Sequence, residues 1–301
     1  ELINFGSNIK YHHIPEDIFS RIYKAKDLVD TKYAILLCDD ELYVHSALAE
    51  CVKYLDNSEE TVSCIGRCMA FKIENKKLLV NEKFSPIKKS ENRSISFKQR
   101  ILYKATNFLP STFYALNRKK LFLSNIELLN LNSSSPYTGE VLVEFSSSFH
   151  GKNKVLDELM WLRSYENDPI HNENWNRELD IEAWYNNNEH QNEVTKCINR
   201  FSKIVSKSAG ISERMVKRYA ISGLNTMCGI NYKLSEPRSL IVSFQAMVKA
   251  KFTKLIKYHL YSNYKNRFGW IDFGTYKDKI LDAEKIIYNI DELSNIFNLI
   301  K

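Results

Sequence analysis

At 301 residues the chain can bury a sizeable core as one large or two smaller domains. Its 44% hydrophobic and 26% charged content is ordinary for a globular protein. No apolar run approaches the roughly 18–20 residues that span a bilayer. Six cysteines in this length argue against a disulfide scaffold and fit reduced, cytosolic thiols. The net charge of +7 is unevenly spread, with fifteen Lys and Arg against two acids between Lys196 and Arg267.

The opening "ELINFGSNIKYHH" lacks the basic and apolar blocks of a signal peptide and an initiator Met, so the chain reads as processed or as a fragment. Asn8–Ile14 reads as a short strand, with His12 and His13 on its surface. Pro15, Glu16 and Asp17 suit the first turn of a helix whose apolar face carries Ile18, Ile22, Ala25 and Val29. "KYAILLC" follows as a buried strand. Strand, helix and strand form a βαβ unit, which predicts a parallel sheet covered on both faces.

Leu48, Cys51, Val52 and Leu55 make the next helical stripe. "TVSCIGRCMAFKI" reads as a strand, with Gly66 where a bulge or close approach would sit. The polar segment after it reads as a hairpin or loop. "SFKQRILYKATNF" predicts a helix, "STFYALNR" a strand, and "KKLFLSNIELLNLNSSS" a helix that ends in a Ser/Asn loop. The stretch around Val141–Phe145 fits helix or strand. From about Glu189 the pattern is helical. The expected organisation is an α/β domain over residues 1–188 and a basic helical region over residues 189–301.

Asp39, Asp40 and Glu41 sit together at the end of the "YAILLC" strand. Adjacent carboxylates repel each other unless a cation neutralises them. Ligands gather at the carboxyl ends of strands in parallel α/β sheets. Oxygen ligands there suit a hard divalent cation, Mg²⁺ or Mn²⁺, bridging carboxylates to a diphosphate. Cys64 and Cys68 have no second Cys/His pair at zinc spacing and are not expected to bind metal. "ILLCDDE" also resembles the acidic start of a phosphate-accepting receiver domain, but a strand and helix precede the acids and the next strand carries no Asp.

The segment "TKYAILLCDDELYVHSALAECVKYLDNSEETVSCIGRCMAFK" resembles the family 2-like glycosyltransferases with the GT-A fold, particularly bacterial cell-surface polysaccharide enzymes. The matching residues are Thr31, Lys32 and Tyr33; Asp39, Asp40 and Glu41; Cys51 and Leu55; and Gly66 and Arg67. The likeness extends through Arg100, "STFYALNR", Gly139 and Glu140, Gly151 and Lys152, and Arg163.

The resemblance implies a GT-A, Rossmann-like mixed sheet with helices on both faces. It also implies a nucleotide diphosphate sugar donor, a divalent cation, and transfer to a hydroxyl of a glycan or lipid-linked acceptor. Asp39 and Asp40 would orient the donor, and Asp40 and Glu41 would hold the metal. Two registers fit: Asp39 and Glu41 as the outer acids of the motif, or Asp40 as its last acid with Cys38 in the first place. Asp40 is the favoured ligand, because Glu41 departs from the family's third Asp. Glu140 is expected as the general base, ahead of Glu144. Arg67, Lys152 and Arg163 are candidates for donor or acceptor phosphates. The family pattern further implies that a first βα unit is missing ahead of this chain.

"SLIVSFQAMVKAKFTKLIKYHLY", residues 239–261, has an apolar face flanked by Lys249, Lys251, Lys254 and Lys257. It reads as a core helix or as one lying on an anionic membrane surface. The expected location is therefore cytoplasmic, peripheral on the inner face of the membrane. A competing function is a non-catalytic basic module that docks to membrane or nucleic acid. Nucleic acid is the weaker partner, since the basic run carries no reading motif.

Overall fold

The computed structural model describes residues 10–75, 77–81, 85–131, 133–165, 176, 179–229 and 271–273. The helical segment expected at residues 239–261 lies outside the described residues, as does most of the basic region after residue 229. In chain order the elements are α1 (Ile18–Ala25), β1 (Tyr33–Ala34), β2 (Glu41–Tyr43), α2 (His45–Asp56), β3 (Thr61–Glu74), β4 (Lys77–Asn81), α3 (Phe97–Thr106), β5 (Leu116–Arg118), α4 (Lys119–Leu129), α5 (Tyr137–His150), β6 (Lys152–Ser164), α6 (Ile181–Asn186), α7 (Gln191–Ala209), α8 (Glu213–Met227) and β7 (Ile271–Asp272). The protein is α/β, with one mixed sheet.

The start of the chain differs from the βαβ expectation. Residues 10–14 form no strand, and residues 8 and 9 lie outside the described residues. The first helix begins after Asp17, not at Pro15. The Asp17 carboxylate accepts from Phe19 N and Ser20 N at 3.0 and 3.2 Å, which satisfies two of the helix's free N–H groups. β1 is only two residues long and pairs antiparallel with β5, Tyr33 facing Arg118.

β3 is the axis of the sheet. β6 runs parallel along one of its edges, while β5 and then β4 pair antiparallel along the other. β3 with β6 is the one parallel pairing in the described sheet, so the sheet is mixed rather than parallel. The β3–β4 connection explains part of this. Glu74 faces Lys77, and Asn75 takes a φ of 52°, a left-handed conformation that Asn tolerates in tight turns. Gly66 sits where the β3–β6 register slips. A Cβ there would lie 2.4 Å from the Glu158 carbonyl oxygen and 2.5 Å from Met160 Cβ, so the close approach expected at this glycine is present.

Successive side chains of β6 point to opposite faces of the sheet. Met160 faces α2, its Sδ 3.5 Å from Cys51 Sγ. Trp161 faces the other way, where Tyr114 stacks on it. The α2 stripe buries Ala47, Cys51 and Leu55 against the sheet. A second core joins α3, α5, α6, α7 and α8 through Ile101, Phe145, Trp184, Phe201, Val216 and Leu224. Residues on either side of position 188 therefore share one core. Among the described residues no helix is long and apolar enough to cross a membrane.

Candidate functional site

The β2–β6 register sets Glu41 opposite Arg163 and Tyr43 opposite Trp161. Arg163 Nε lies 3.7 Å from Glu41 Oε1. The turn before β2 is tight: Glu41 N donates to the Cys38 carbonyl at 3.3 Å, and Ser164 N donates to the Asp40 carbonyl at 3.3 Å. That turn leaves Asp39 exposed, Asp40 half-buried and Glu41 only 4% exposed. Burial raises the Glu41 pKa, and the opposing pull of Arg163 and the Trp161 indole does not cancel it. Glu41 Oε2 is buried and has no hydrogen-bond partner among the described residues.

Beneath Arg163 lies an aromatic floor. The Tyr114 and Trp161 rings stack with centroids 4.1 Å apart and planes 21° from parallel. The Arg163 guanidinium carbon is 5.8 Å from the first centroid and 5.7 Å from the second, within cation–π range. The Tyr43 hydroxyl is shared between the carbonyls of Leu36 and Tyr114, each at 3.0 Å. It ties the acidic turn to the 3₁₀ turn Thr112–Tyr114.

Glu140 occupies the first turn of α5 and is half-buried. Burial raises its pKa, Arg163 opposes the rise, and Glu144 adds to it. Arg163 acts likewise on Tyr114 and Cys38, so these groups share one electrostatic neighbourhood. Burial and the nearby Glu41 and Asp40 carboxylates push the Cys38 thiol up to about 12, which leaves it protonated and unreactive at neutral pH.

Glu144, one helical turn beyond Glu140, is saturated. Its Oε1 accepts from Ser111 N at 2.6 Å and Thr112 N at 2.5 Å, while its Oε2 accepts from Thr112 Oγ1 at 2.9 Å and Lys104 Nζ at 2.5 Å. Residues four apart share a helix face. Anchoring Glu144 to the 111–112 backbone therefore turns Glu140 toward the same side, beside Tyr114.

The structure thus gathers Asp39, Asp40, Glu41, Arg163 and Glu140 around one end of β6. It does not bring Lys152 or Arg67 to them. Lys152 faces Thr61 at the start of β6, whereas Arg163 faces Ala70, about 30 Å of strand away. The Lys152 ammonium pairs with Glu60 instead. Arg67 lies beside Leu159 on β3, and its charge is felt by Asp157 rather than by the acidic turn. Tyr43, Trp161 and Tyr114 are site residues that the sequence reading did not single out. The first two stand two positions from Glu41 and Arg163, and period-2 alternation places each on its neighbour's face.

None of the six cysteines is in a disulfide, and Cys64 and Cys68 are buried. Among the described residues no three His, Cys, Asp or Glu side chains converge as a ready-made metal cage. A Mg²⁺-type ion bound through one or two carboxylates and a substrate diphosphate needs no such cage. No protein-family model matches the chain, and no curated protein matches its sequence.

Proposed function

We propose that the protein is a divalent-cation-dependent glycosyltransferase with a GT-A-type fold, moving a sugar from a nucleotide diphosphate donor to a hydroxyl of a glycan or lipid-linked acceptor. Surface polysaccharide assembly at the inner face of the membrane is the setting its sequence likeness suggests. The observation that carries the reading is the meeting of the acidic turn, Arg163 and Glu140 at one end of β6, by elements distant in sequence.

The donor set fits the ion. Asp40 is a half-buried carboxylate on the acidic turn with Asp39 beside it, and hard oxygen ligands of this kind take Mg²⁺ or Mn²⁺. Glu41 offers one oxygen unpartnered among the described residues, but its other oxygen faces Arg163, so it serves chiefly to hold that guanidinium in place. When bound, the cation neutralises the diphosphate and so assists its departure.

Arg163 supplies a fixed positive charge for the departing diphosphate. A guanidinium held by a carboxylate on one side and aromatic rings below is already oriented, so little side-chain freedom is lost on binding. Glu140 takes the proton of the acceptor hydroxyl. Its raised pKa makes it a better base than an ordinary surface carboxylate. Lys152 has no part in this centre.

The test is thermal stabilisation by a panel of nucleotide diphosphate sugars, with and without Mn²⁺. At least one donor should raise the melting temperature only when Mn²⁺ is present. Asp40→Ala should lose that shift while melting normally without ligand. If no donor shifts the protein, or if Asp40→Ala shifts as the parent does, the reading fails.

A further inference from the structure

At the opposite end of β3 and β6 from the acidic turn, a cleft of about 230 Å³ opens between the end of α2, the start of β3, the start of β6 and the segment before α3. Arg93, Lys152 and Lys154 converge on it, against one lining carboxylate among the described residues, Glu60. Lys152 and Lys154 are two apart on β6 and so project from the same face. Their side chains are only 25% and 18% exposed, so both ammonium groups are held against the cleft rather than dispersed in solvent.

Among the described residues the existing ion pairs leave positive charge over. Lys154 and Arg93 share a single carboxylate, Glu91, with Lys154 Nζ 3.1 Å from Glu91 Oε2. Lys152 pairs with Glu60, whose side chain is 71% exposed. An exposed pair of that kind contributes little to stability, so Glu60 yields readily to a stronger anion. Ser58 Oγ and Thr61 Oγ1 are 2.8 Å apart, so one of their two hydroxyl protons is used between them and the other is left to donate. Tyr54 forms an aromatic wall, its centroid 5.6 Å from Lys154 Nζ.

We propose that this cleft binds a phosphomonoester. Three cations and a hydroxyl donor match a dianion with three terminal oxygens, whereas a carboxylate would leave most of them unmatched. The volume lies below the roughly 300–1,000 Å³ of pockets that enclose drug-sized ligands, which limits the ligand to a phosphate with at most one ring against Tyr54. A soluble sugar phosphate and the head group of phosphatidic acid both present this chemistry. The proposal stands apart from the acidic-turn centre and shares no residue with it.

The experiment is isothermal titration of the full chain with inorganic phosphate and glucose 6-phosphate at fixed ionic strength, with flotation on phosphatidic acid vesicles as a parallel arm. Saturable binding of one equivalent is expected in the first arm if the source is soluble, and in the second if it is a lipid. In either arm Arg93→Gln/Lys152→Gln should weaken binding about tenfold or more, the loss expected for two charge-assisted contacts. Glu60→Gln should strengthen it, because the competing carboxylate is gone, an effect that damage to the fold would not produce. Arg163→Gln should leave it unchanged. Binding in neither arm, binding indifferent to Arg93, Lys152 and Glu60, or binding lost in Arg163→Gln alone would overturn the proposal.

Discussion

Lys104 Nζ donates to Glu144 Oε2 across 2.5 Å, and the two side chains are 0% and 1% exposed. The carboxylate also takes the backbone N–H groups of Ser111 and Thr112. One buried node therefore fixes α3, α5 and the turn that delivers Tyr114 to the aromatic floor beneath Arg163. A carboxylate with every acceptor position filled cannot also accept a substrate proton. Glu144 is thus a positioning residue, which leaves Glu140 as the base of the proposed transfer.

Lys104→Met should destabilise the protein by about 3–5 kcal/mol, because it strands a buried charge. Lys104→Met/Glu144→Gln should recover part of that loss, since no charge is then left unpaired. Urea unfolding of the single and double variants measures both. A single variant within about 1 kcal/mol of the parent would remove the node from the account.

Glu140→Gln should reduce sugar transfer by roughly 10²–10⁴ while donor binding stays nearly constant, as for loss of a general base. The raised pKa of Glu140 adds a pH signature. The base works only when ionised, so activity should fail on the acid side at a pH above the ordinary Glu value of about 4.3. Steady-state rates from pH 4 to 8 give the limb. Full turnover in the variant would send the proton elsewhere.

Local pattern carried much of the fold. The α2 stripe is legible because its apolar positions recur at helical spacing and its other face is wet. α5 gave no such contrast: every residue from Val141 to Phe149 is buried, Glu144 and the three serines included, so no wet face marks the helical period and the stretch reads equally as an inner strand. The run after Lys32 misleads for a related reason. It is apolar along its length, yet β1 pairs over Tyr33 and Ala34 only, and Leu37 is 50% exposed.

Composition marks a strand but not its partner. The insertion of β5 between β1 and β3 had no local trace, and neither did the meeting of Glu41 with Arg163. The acidic turn was visible as an oddity of charge. That Lys152 lies far from it depends on the direction of β6, which only the register of the sheet reveals.

Gly66→Ala tests the bulge. The new methyl would meet the Glu158 carbonyl and Met160 Cβ well inside contact distance, and both belong to strand β6, which cannot swing aside as a side-chain tip would. Overpacking of this kind costs roughly 1–3 kcal/mol or more. The shift would also propagate along β6 toward Trp161 and Arg163, so nucleotide binding should weaken together with the urea midpoint. A variant as stable as the parent would show that the strands part at little cost.

His150 gives stability a dependence on acid. It lies where α5 ends and bridges to α7: Nδ1 is 2.8 Å from the Ser146 carbonyl, and Nε2 is 3.0 Å from Ser208 Oγ. Burial lowers its pKa to about 4; the Ser146 carbonyl resists, and the nearby Lys120 charge adds to the fall. In the unfolded chain the imidazole titrates near 6.5. Between those values the unfolded chain binds a proton that the fold refuses, so stability falls as pH falls from about 6.5 toward 4 and is flat above that window. From pH 7 to 4.5 the loss from this residue should be roughly 2–3 kcal/mol. Other groups titrate over the same range, so the comparison is with His150→Gln, which is neutral throughout. Urea unfolding at both pH values should show a smaller acid loss in the variant than in the parent. Equal losses would mean that His150 accepts its proton in the folded protein, and the tether between α5 and α7 would then be no barrier to its charge.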